Sequence, residues 1–357
     1  MKYINIVPTI SNHSDGVGKF VKIFHQALLE DGIKARIFTQ NTNDRYLVNE
    51  VDVYSPIPKF GRLQFSLALF NAVRHTIKAD KNTIFHIHGL WMWVNIFPFF
   101  IKKMKYVYSP HGSISPKTVE SWSFLKKCFF RTVQLRVIKK AIFLHATSQL
   151  EKNWLIDVGI EESFIKIIPL CDKISVDLLS LNDIEKSKRN SFIFVGRLAK
   201  IKNLESLIDA FQSITEEHED ANLEVIGDIR TTYARSLIQR ASSSTNINFL
   251  GELPHNEVIY RLRRANHLVL PSFTENFSYS ALEACYSGCS LVVSENTPWP
   301  DLTPTFIAAV FSPEDPQSIE RALRKCCNDA ARVFDGRNLY QFHTTEFVKS
   351  LREHLIK

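Results

Sequence analysis

The residues with the most chemical content lie between 271 and 288, PSFTENFSYSALEACYSG. The apolar run 267–270 reads as a strand that enters a loop holding Glu275 and then a helix beginning near Ser278 and carrying Glu283. A helix start offers free backbone N–H groups and the positive end of a dipole, so it can receive a phosphate. Glu275, just before that helix, is placed to accept hydrogen bonds from hydroxyls, and Glu283, inside it, suits a ribose diol. The same residues also read as a plain capping box, Ser280 with Glu283, beside a solvated Glu275.

A second pattern, FIFVGRLAKIKNLESLIDAF at 192–211, ends a strand at Gly196 and places Arg197 and Lys202 before a helix starting near Leu204. Two cations at the carboxyl end of a strand can clamp a diphosphate, the guanidinium in bidentate fashion and the ammonium as a point charge. They also read as surface cations near a turn. After the first strand, Asp15, Gly16, Val17 and Gly18 form a shortened glycine-rich turn that would let backbone approach a phosphate or sugar. The full GxGxxG fingerprint is absent, with Val at position 21. His88 in HIHGLW and His111 in SPHGS also follow strands. His88 reads as a packed core residue, whereas His111, beside Gly112, reads as functional.

These residues need elements to hold them. Strand-like runs fall at 3–7, 35–39, 83–88, 106–109 and 142–146, with helical patterns at 19–30 and 63–77 between them. The second half repeats the rhythm with runs at 191–195, 223–226, 247–250, 267–270, 291–293 and 308–311. Alternation of this kind predicts an α/β fold with two Rossmann-like, doubly wound parallel-sheet domains, whose ligands bind beyond the carboxyl ends of the strands in one cleft. The expected division is an N-terminal domain at 1–170, a linker at 171–190 where periodicity fades, and a C-terminal domain at 191–336. A C-terminal helix at about 337–357 would pack back on the first domain.

Composition excludes several classes. At 357 residues, 45% hydrophobic and 23% charged, the chain has material for two cores. The start reads as a buried strand rather than a signal peptide, and the longest apolar run, 90–101, falls short of the roughly 20 residues that cross a bilayer as a helix. A cytoplasmic protein is expected, peripheral on the inner membrane if lipid contact holds. Six cysteines in no metal-ligand pattern predict reduced, mostly buried thiols and no metal site. Residues 1–190 carry a charge of +11 and the remainder −4, so the first half is expected to meet an anionic partner. No nucleic-acid-binding motif accompanies that charge.

Taken together and in register, these segments resemble the retaining glycosyltransferases of the GT-B fold, the family-four type, over nearly the whole chain. Glu275 and Glu283 match its Glu-x7-Glu motif, and Gly196, Arg197 and Lys202 its Gly-Arg-x4-Lys element. A glycine turn holding Gly16 and the pair His111–Gly112 match two further elements. HGLW (88–91), TPWPDL (297–302) and HATSQLE (145–151) resemble members that build bacterial surface polysaccharides, including lipopolysaccharide and O-antigen. The resemblance implies that Arg197 and Lys202 neutralise the diphosphate of a UDP- or GDP-linked sugar, without a metal or other cofactor. It gives the ribose to Glu283, hydroxyls of the transferred sugar to Glu275, and phosphate oxygens to the backbone N–H groups of Phe277 and Ser278. It places His111 against the sugar or the phosphate and lets Gly16 close over the diphosphate or acceptor. The family's Gly-Phe-Gly after the first Glu is Asn276-Phe277-Ser278 here, so altered sugar contacts are expected.

The expected acceptor is a glycan, lipid-linked or membrane-anchored. Segments 98–108 and 123–143 interleave aromatic and aliphatic residues with Lys and Arg, which suits an anionic lipid surface and equally an ordinary amphipathic helix with a solvated basic face. Two other classes remain open on sequence: another GT-B-like enzyme, such as a sugar-nucleotide epimerase or a phosphorylase, and a non-catalytic sugar-nucleotide-binding protein.

Overall fold

A computed structural model describes residues 2–10, 16–42, 50–57, 64–172, 186, 190–329, 334, 339 and 342–356. The chain divides into two compact units, Met1–Lys173 with Tyr340–Lys357, and Ile174–Leu339.

The N-terminal unit is built on seven parallel strands: β1 Lys2–Ile10, β2 Lys34–Thr42, β3 Val51–Val53, β4 Ile84–His88, β5 Lys105–Ser109, β6 Leu144–Ala146 and β7 Ile165–Ile167. Their order is β3-β2-β1-β4-β5-β6-β7. The sheet therefore reverses direction of growth between β1 and β4, and this is the switch point where the loops after those strands diverge. The first strand is buried along most of its length, as a parallel strand covered on both faces must be. The edge strands β3 and β7 are buried at one of their six positions, unlike the equally short β6, and are the two that the sequence pattern misses.

Two helices close one face of this sheet. The first, α1 Gly16–Glu30, buries Phe20, Val21, Phe24 and Leu28 at helical spacing. The chain's last helix, Thr344–Ile356, returns to the same unit, where Phe347 packs at 5.3 Å from Phe20 and 4.9 Å from Phe24, and Arg352 pairs with Asp31 at 2.5 Å. It is shorter than the helical pattern read from 337; of the residues before it, 335–338 and 340–341 lie outside the described residues.

The C-terminal unit repeats the plan with six parallel strands: β8 Ser191–Val195, β9 Asn222–Ile226, β10 Ile247–Gly251, β11 His267–Leu270, β12 Ser290–Ser294 and β13 Ile307–Phe311. The order β10-β9-β8-β11-β12-β13 reverses between β8 and β11. Its core joins Phe192, Phe194, Leu223 and Val225 of the sheet to Leu207, Phe211 and Ile214 of the helix Leu204–Thr215.

Most of the expected linker, 173–185 and 187–189, lies outside the described residues. Each end is tied to its own unit. Asp172 accepts an ion pair from Lys19 at 3.4 Å while its backbone N–H donates to Phe342 at 3.0 Å. Lys186 donates to the carbonyls of Ala265 at 2.7 Å and Ser287 at 3.3 Å. The apolar run at 90–101 folds into a 3-10 turn, Trp93–Ile96, and one helical turn, Phe97–Phe100. Among the described residues no helix is long and apolar enough to cross a membrane. All six cysteines are free thiols; four are buried, Cys327 is half-buried and Cys128 is exposed.

Candidate active site

The C-terminal switch point gathers two of the sequence patterns. Arg197 and Lys202 lie on the loop after β8, Glu275 on the loop after β11, and these strands are neighbours. The two loops are stitched together by the Phe273 N–H, which donates to the carbonyl of Ile201 at 2.9 Å. That bond brings the ammonium of Lys202 into a hydrogen-bonded ion pair with the carboxylate of Glu275. Their side chains are only 17% and 14% exposed, which strengthens the pair and makes either charge costly alone. Arg197 stands exposed, and among the described residues its side chain makes no ion pair.

Glycine permits the close approach that this arrangement needs. A Cβ at Gly227, after β9, would lie 2.2 Å from the carbonyl oxygen of Gly196 and 3.0 Å from the Leu198 side chain. The loop carrying Arg197 can pass there only because position 227 has no side chain. Asn203 then turns the chain in a left-handed conformation into the helix Leu204–Thr215, its amide donating to the carbonyl of Pro313 at 3.0 Å.

The second loop is held from β12. The N–H of Glu275 donates to the carbonyl of Asn296 at 3.1 Å, and the indole N–H of Trp299 donates to the carbonyl of Phe277. Trp299 and Phe277 are both buried, with rings 5.3 Å apart. The TPWPDL segment thus supports the loop from behind. Ser272 Oγ and Thr274 Oγ1 in the same loop are buried without a hydrogen-bond partner among the described residues. Buried hydroxyls left this way are uncommon in folded proteins and fit a loop built to receive a polar ligand.

The helix Tyr279–Tyr286 follows, with Ser278 at its cap in a left-handed backbone region, φ 72°. Glycine is the residue that such a φ favours, so Ser278 carries strain where Gly-Phe-Gly would not. The capping-box reading fails. Ser280 lies inside the first turn, the cap makes no side-chain hydrogen bond, and Ser278 and Ser280 instead bond to each other at 2.9 Å. Glu283 is buried on this helix, 3.8 Å from the His255 ring. Asn276 is half-buried beside Glu275.

In the N-terminal unit, Gly16 is the first residue of α1 and Gly18 lies buried within it, so from Gly16 onward the expected turn is already helix. The helical ladder fixes these residues and removes the backbone freedom that the turn reading assumed. Asp15 lies outside the described residues. His111 follows β5 with φ 53°, and His88 ends β4, fully buried as expected of a core residue. Their rings stack 5.2 Å apart, with His88 Nδ1 3.0 Å from His111 Nε2.

The sequence reading missed the size of this histidine cluster. Tyr3, His86, Ser109 and His145, all buried, form one hydrogen-bonded chain whose direction is fixed at its far end. The Ile168 carbonyl can only accept, so His145 Nε2 donates to it at 2.7 Å. Nδ1 of a neutral His145 then accepts from Ser109 Oγ at 2.8 Å. Ser109 in turn accepts from His86 Nε2 at 2.6 Å, and His86 Nδ1 accepts from the Tyr3 hydroxyl at 2.9 Å. Every donor is used once and no ring can hold a second proton without breaking a bond.

Glu151 is the other missed residue. Its buried carboxylate accepts from the N–H of Gly112 at 2.6 Å and from both the N–H and hydroxyl of Thr147, at 2.8 and 2.9 Å. Ser148 caps the helix Gln149–Asp157, accepting from the Glu151 N–H at 3.2 Å. The S-x-x-E spacing inside HATSQLE was the available signal. What it could not show is that the carboxylate also fastens the turn carrying His111.

Burial pushes the imidazoles toward neutrality. His111 is lowered to about 3 and His145 to about 4, and His86 and His88 are held well below the usual histidine range by burial first and then by neighbouring imidazoles. Unfolded histidines titrate near 6.5. Between that value and about 4 the unfolded chain binds protons that the folded cluster refuses, so stability is complete above about pH 6.5 and declines as pH falls. His145 alone removes on the order of 3 kcal/mol across that window. Thermal unfolding followed from pH 7.5 to 4.5 should show the midpoint falling steadily below pH 6.5; a flat profile would contradict a neutral buried cluster.

Comparison with known proteins places this geometry. Residues 14–171 match the family model described as Glycosyltransferase Family 4, and residues 181–335 match Glycosyl transferases group 1. The capsular polysaccharide biosynthesis glycosyltransferase CapH of Staphylococcus aureus is 29% identical over 125 residues, 34% of this chain and 34% of that protein. The O-antigen chain mannosyltransferase RfbU of Salmonella typhimurium is 27% identical over 209 residues, 57% of this chain and 56% of that protein. The chain thus spans about a third to a half of the length of these relatives. Among solved structures, Anabaena HepE in complex with UDP and glucose superposes with a TM-score of 0.74 at 18% identity, covering 100% of each chain, a likeness of fold.

Proposed function

The chain belongs to the group 1 glycosyl transferases of the GT-B fold, and from that membership we propose a retaining transfer of a sugar from a nucleoside-diphosphate donor, UDP- or GDP-linked, to a hydroxyl of a glycan acceptor. The observation that carries this reading is the Lys202–Glu275 pair at the β8/β11 switch point, beside the start of the helix Tyr279–Tyr286.

The chemistry follows from charge. A diphosphate brought to this loop draws Lys202 from Glu275, and Arg197 adds a second cation. The amide end of the helix meets the remaining phosphate oxygens through Phe277 and Ser278. Glu275, released from its partner and only partly exposed, needs new donors, and sugar hydroxyls supply them. Asn276 adds a polar side chain beside it. The loop that begins at Gly196 brings backbone near the diphosphate, Glu283 takes the ribose hydroxyls, and Gly16, the first residue of α1, is left to the acceptor. The developing negative charge of the leaving diphosphate is met by groups already in place, so little reorganisation is required as the bond breaks. The incoming hydroxyl attacks from the face the donor phosphate leaves, its proton passing to a departing phosphate oxygen, and configuration is retained. With Arg197 and Lys202 supplying the positive charge, no metal cofactor is invoked.

Two relatives are named for capsular polysaccharide and O-antigen synthesis, which supports a surface-polysaccharide or lipopolysaccharide acceptor, lipid-linked and reached from the cytoplasmic face. The N-terminal unit has a surface suited to that face. The short helix Phe124–Phe129 buries none of its residues, and Phe124 and Leu125 are each 78% exposed. Residues 121–150 contain six Lys and Arg and no acidic residue. Exposed apolar side chains beside unopposed cations favour anionic headgroups over water.

Lys202→Ala and Glu275→Ala should each lower acceptor-dependent nucleotide release by about 100-fold or more while leaving the unfolding transition cooperative, and EDTA should leave wild-type turnover intact. Wild-type rates in either variant would remove the site assignment, and a strict divalent requirement would remove the cation clamp. Separately, the double variant Phe124→Ser, Leu125→Ser should lose co-sedimentation with phosphatidylglycerol vesicles. Equal binding of wild type and variant would place membrane contact elsewhere.

A further inference from the structure

We propose that Asn5 and His88 are positioning residues that fix the proton of His111 on Nε2, so that its Nδ1 presents a bare lone pair to a ligand hydroxyl and excludes a phosphate oxygen. Three side chains in series set this proton. Asn5, in the middle of β1, is fully buried, and its Oδ1 lies 3.1 Å from His88 Nε2. A carbonyl oxygen only accepts, so His88 carries its proton on Nε2. A neutral imidazole has one proton, which leaves His88 Nδ1 an acceptor. The group facing it at 3.0 Å is His111 Nε2, which must therefore donate. His111 has then spent its only proton, and Nδ1 is a buried lone pair with no partner among the described residues.

Independent features hold this arrangement in place. The His88 carbonyl accepts from Asn95 Nδ2 at 2.8 Å, anchoring the end of β4. The Glu151 carboxylate grips the N–H of Gly112, next to His111. Phe20 covers both rings, 5.9 Å from His88 and 5.5 Å from His111. Burial keeps both imidazoles neutral through the physiological range, so the single-proton count applies. A lone pair attracts O–H and repels an anionic oxygen, which decides between the two roles open to His111 in favour of a hydroxyl.

The identity of the ligand rests on the transferase reading above; the proton placement does not. Long-range 1H–15N spectra of the full chain labelled at histidine report the tautomer without any substrate. The expected result at pH 7.5 is His111 protonated on Nε2, with an unprotonated Nδ1. Asn5→Asp, whose carboxylate also only accepts, should keep that tautomer. Asn5→Leu, which offers nothing to His88, should shift His111 toward the Nδ1-protonated form and lower kcat about ten-fold, the loss of one hydrogen bond, with Asn5→Asp retaining wild-type kcat. Wild-type His111 protonated on Nδ1 would overturn the relay, and Asn5→Asp alone suffices for the comparison if Asn5→Leu does not fold. A shifted tautomer with unchanged kcat would overturn the use of the lone pair in transfer. A wild-type chain that transfers no sugar would sink the transferase reading and leave the tautomer measurement standing as its own test.

Discussion

The structure of the loops after β8 and β11 depends on one constraint: these neighbouring parallel strands sit where the sheet reverses its order, so the loops that follow them part at the strand ends. One backbone bond, Phe273 to Ile201, pulls those loops together, and an ammonium and a carboxylate separated by 73 residues in the chain then meet in partly buried surroundings. The pair is neutral as a whole, which lets it sit there without a ligand. On the function proposed above, a diphosphate competes for the lysine and leaves the glutamate in need of donors. Neutrality without a ligand and, on that proposal, separation when a diphosphate binds follow from the same placement.

The N-terminal unit solves a different problem. Four imidazoles crowd beneath α1 and the C-terminal helix, and each would be destabilising if charged. Orienting every hydrogen bond from Tyr3 to Ile168, and from His111 to Asn5, lets the four imidazoles remain neutral with each ring N–H matched to an acceptor. The C-terminal helix contributes directly, since Phe347 packs 5.4 Å from His145. A segment more than 300 residues from β1 therefore helps to keep water from the histidines. The layer is rigid for the same reason that it is neutral: exchanging one proton requires its neighbours to exchange theirs.

Much of this was legible in the chain. The strand pattern matches eleven of the thirteen strands among the described residues, because buried parallel strands are short apolar runs between turn signals; Val51–Val53 and Ile165–Ile167 lie at the sheet edges, mostly unburied, and lack that pattern. Glu275, Arg197 and Lys202 stood out because charged residues after apolar strands are conspicuous. Their mutual contact was not legible, since spacing along a sequence says nothing about which strands become neighbours. Ser280 with Glu283 met the rule for a capping box, yet Ser278 in a left-handed conformation starts the helix, so a local rule lost to the tertiary hold of Trp299 on Phe277. Likewise Glu151 looked like a local cap, and its grip on Gly112 depends on β5 and β6 lying side by side. Hydrogen-bond direction within the histidine cluster was beyond sequence altogether, because it follows from which partner atoms can only accept.

The central claim is that a nucleoside diphosphate is bound by charge at the β8/β11 loops. Isothermal titration calorimetry of the full chain with UDP and with GDP tests it most directly. Saturable binding of one of them, weakened about ten-fold or more when Lys202 is replaced by alanine, as expected on losing a charge-assisted contact, is the predicted result. Absence of binding to either nucleotide, or affinity indifferent to Lys202, would contradict the account.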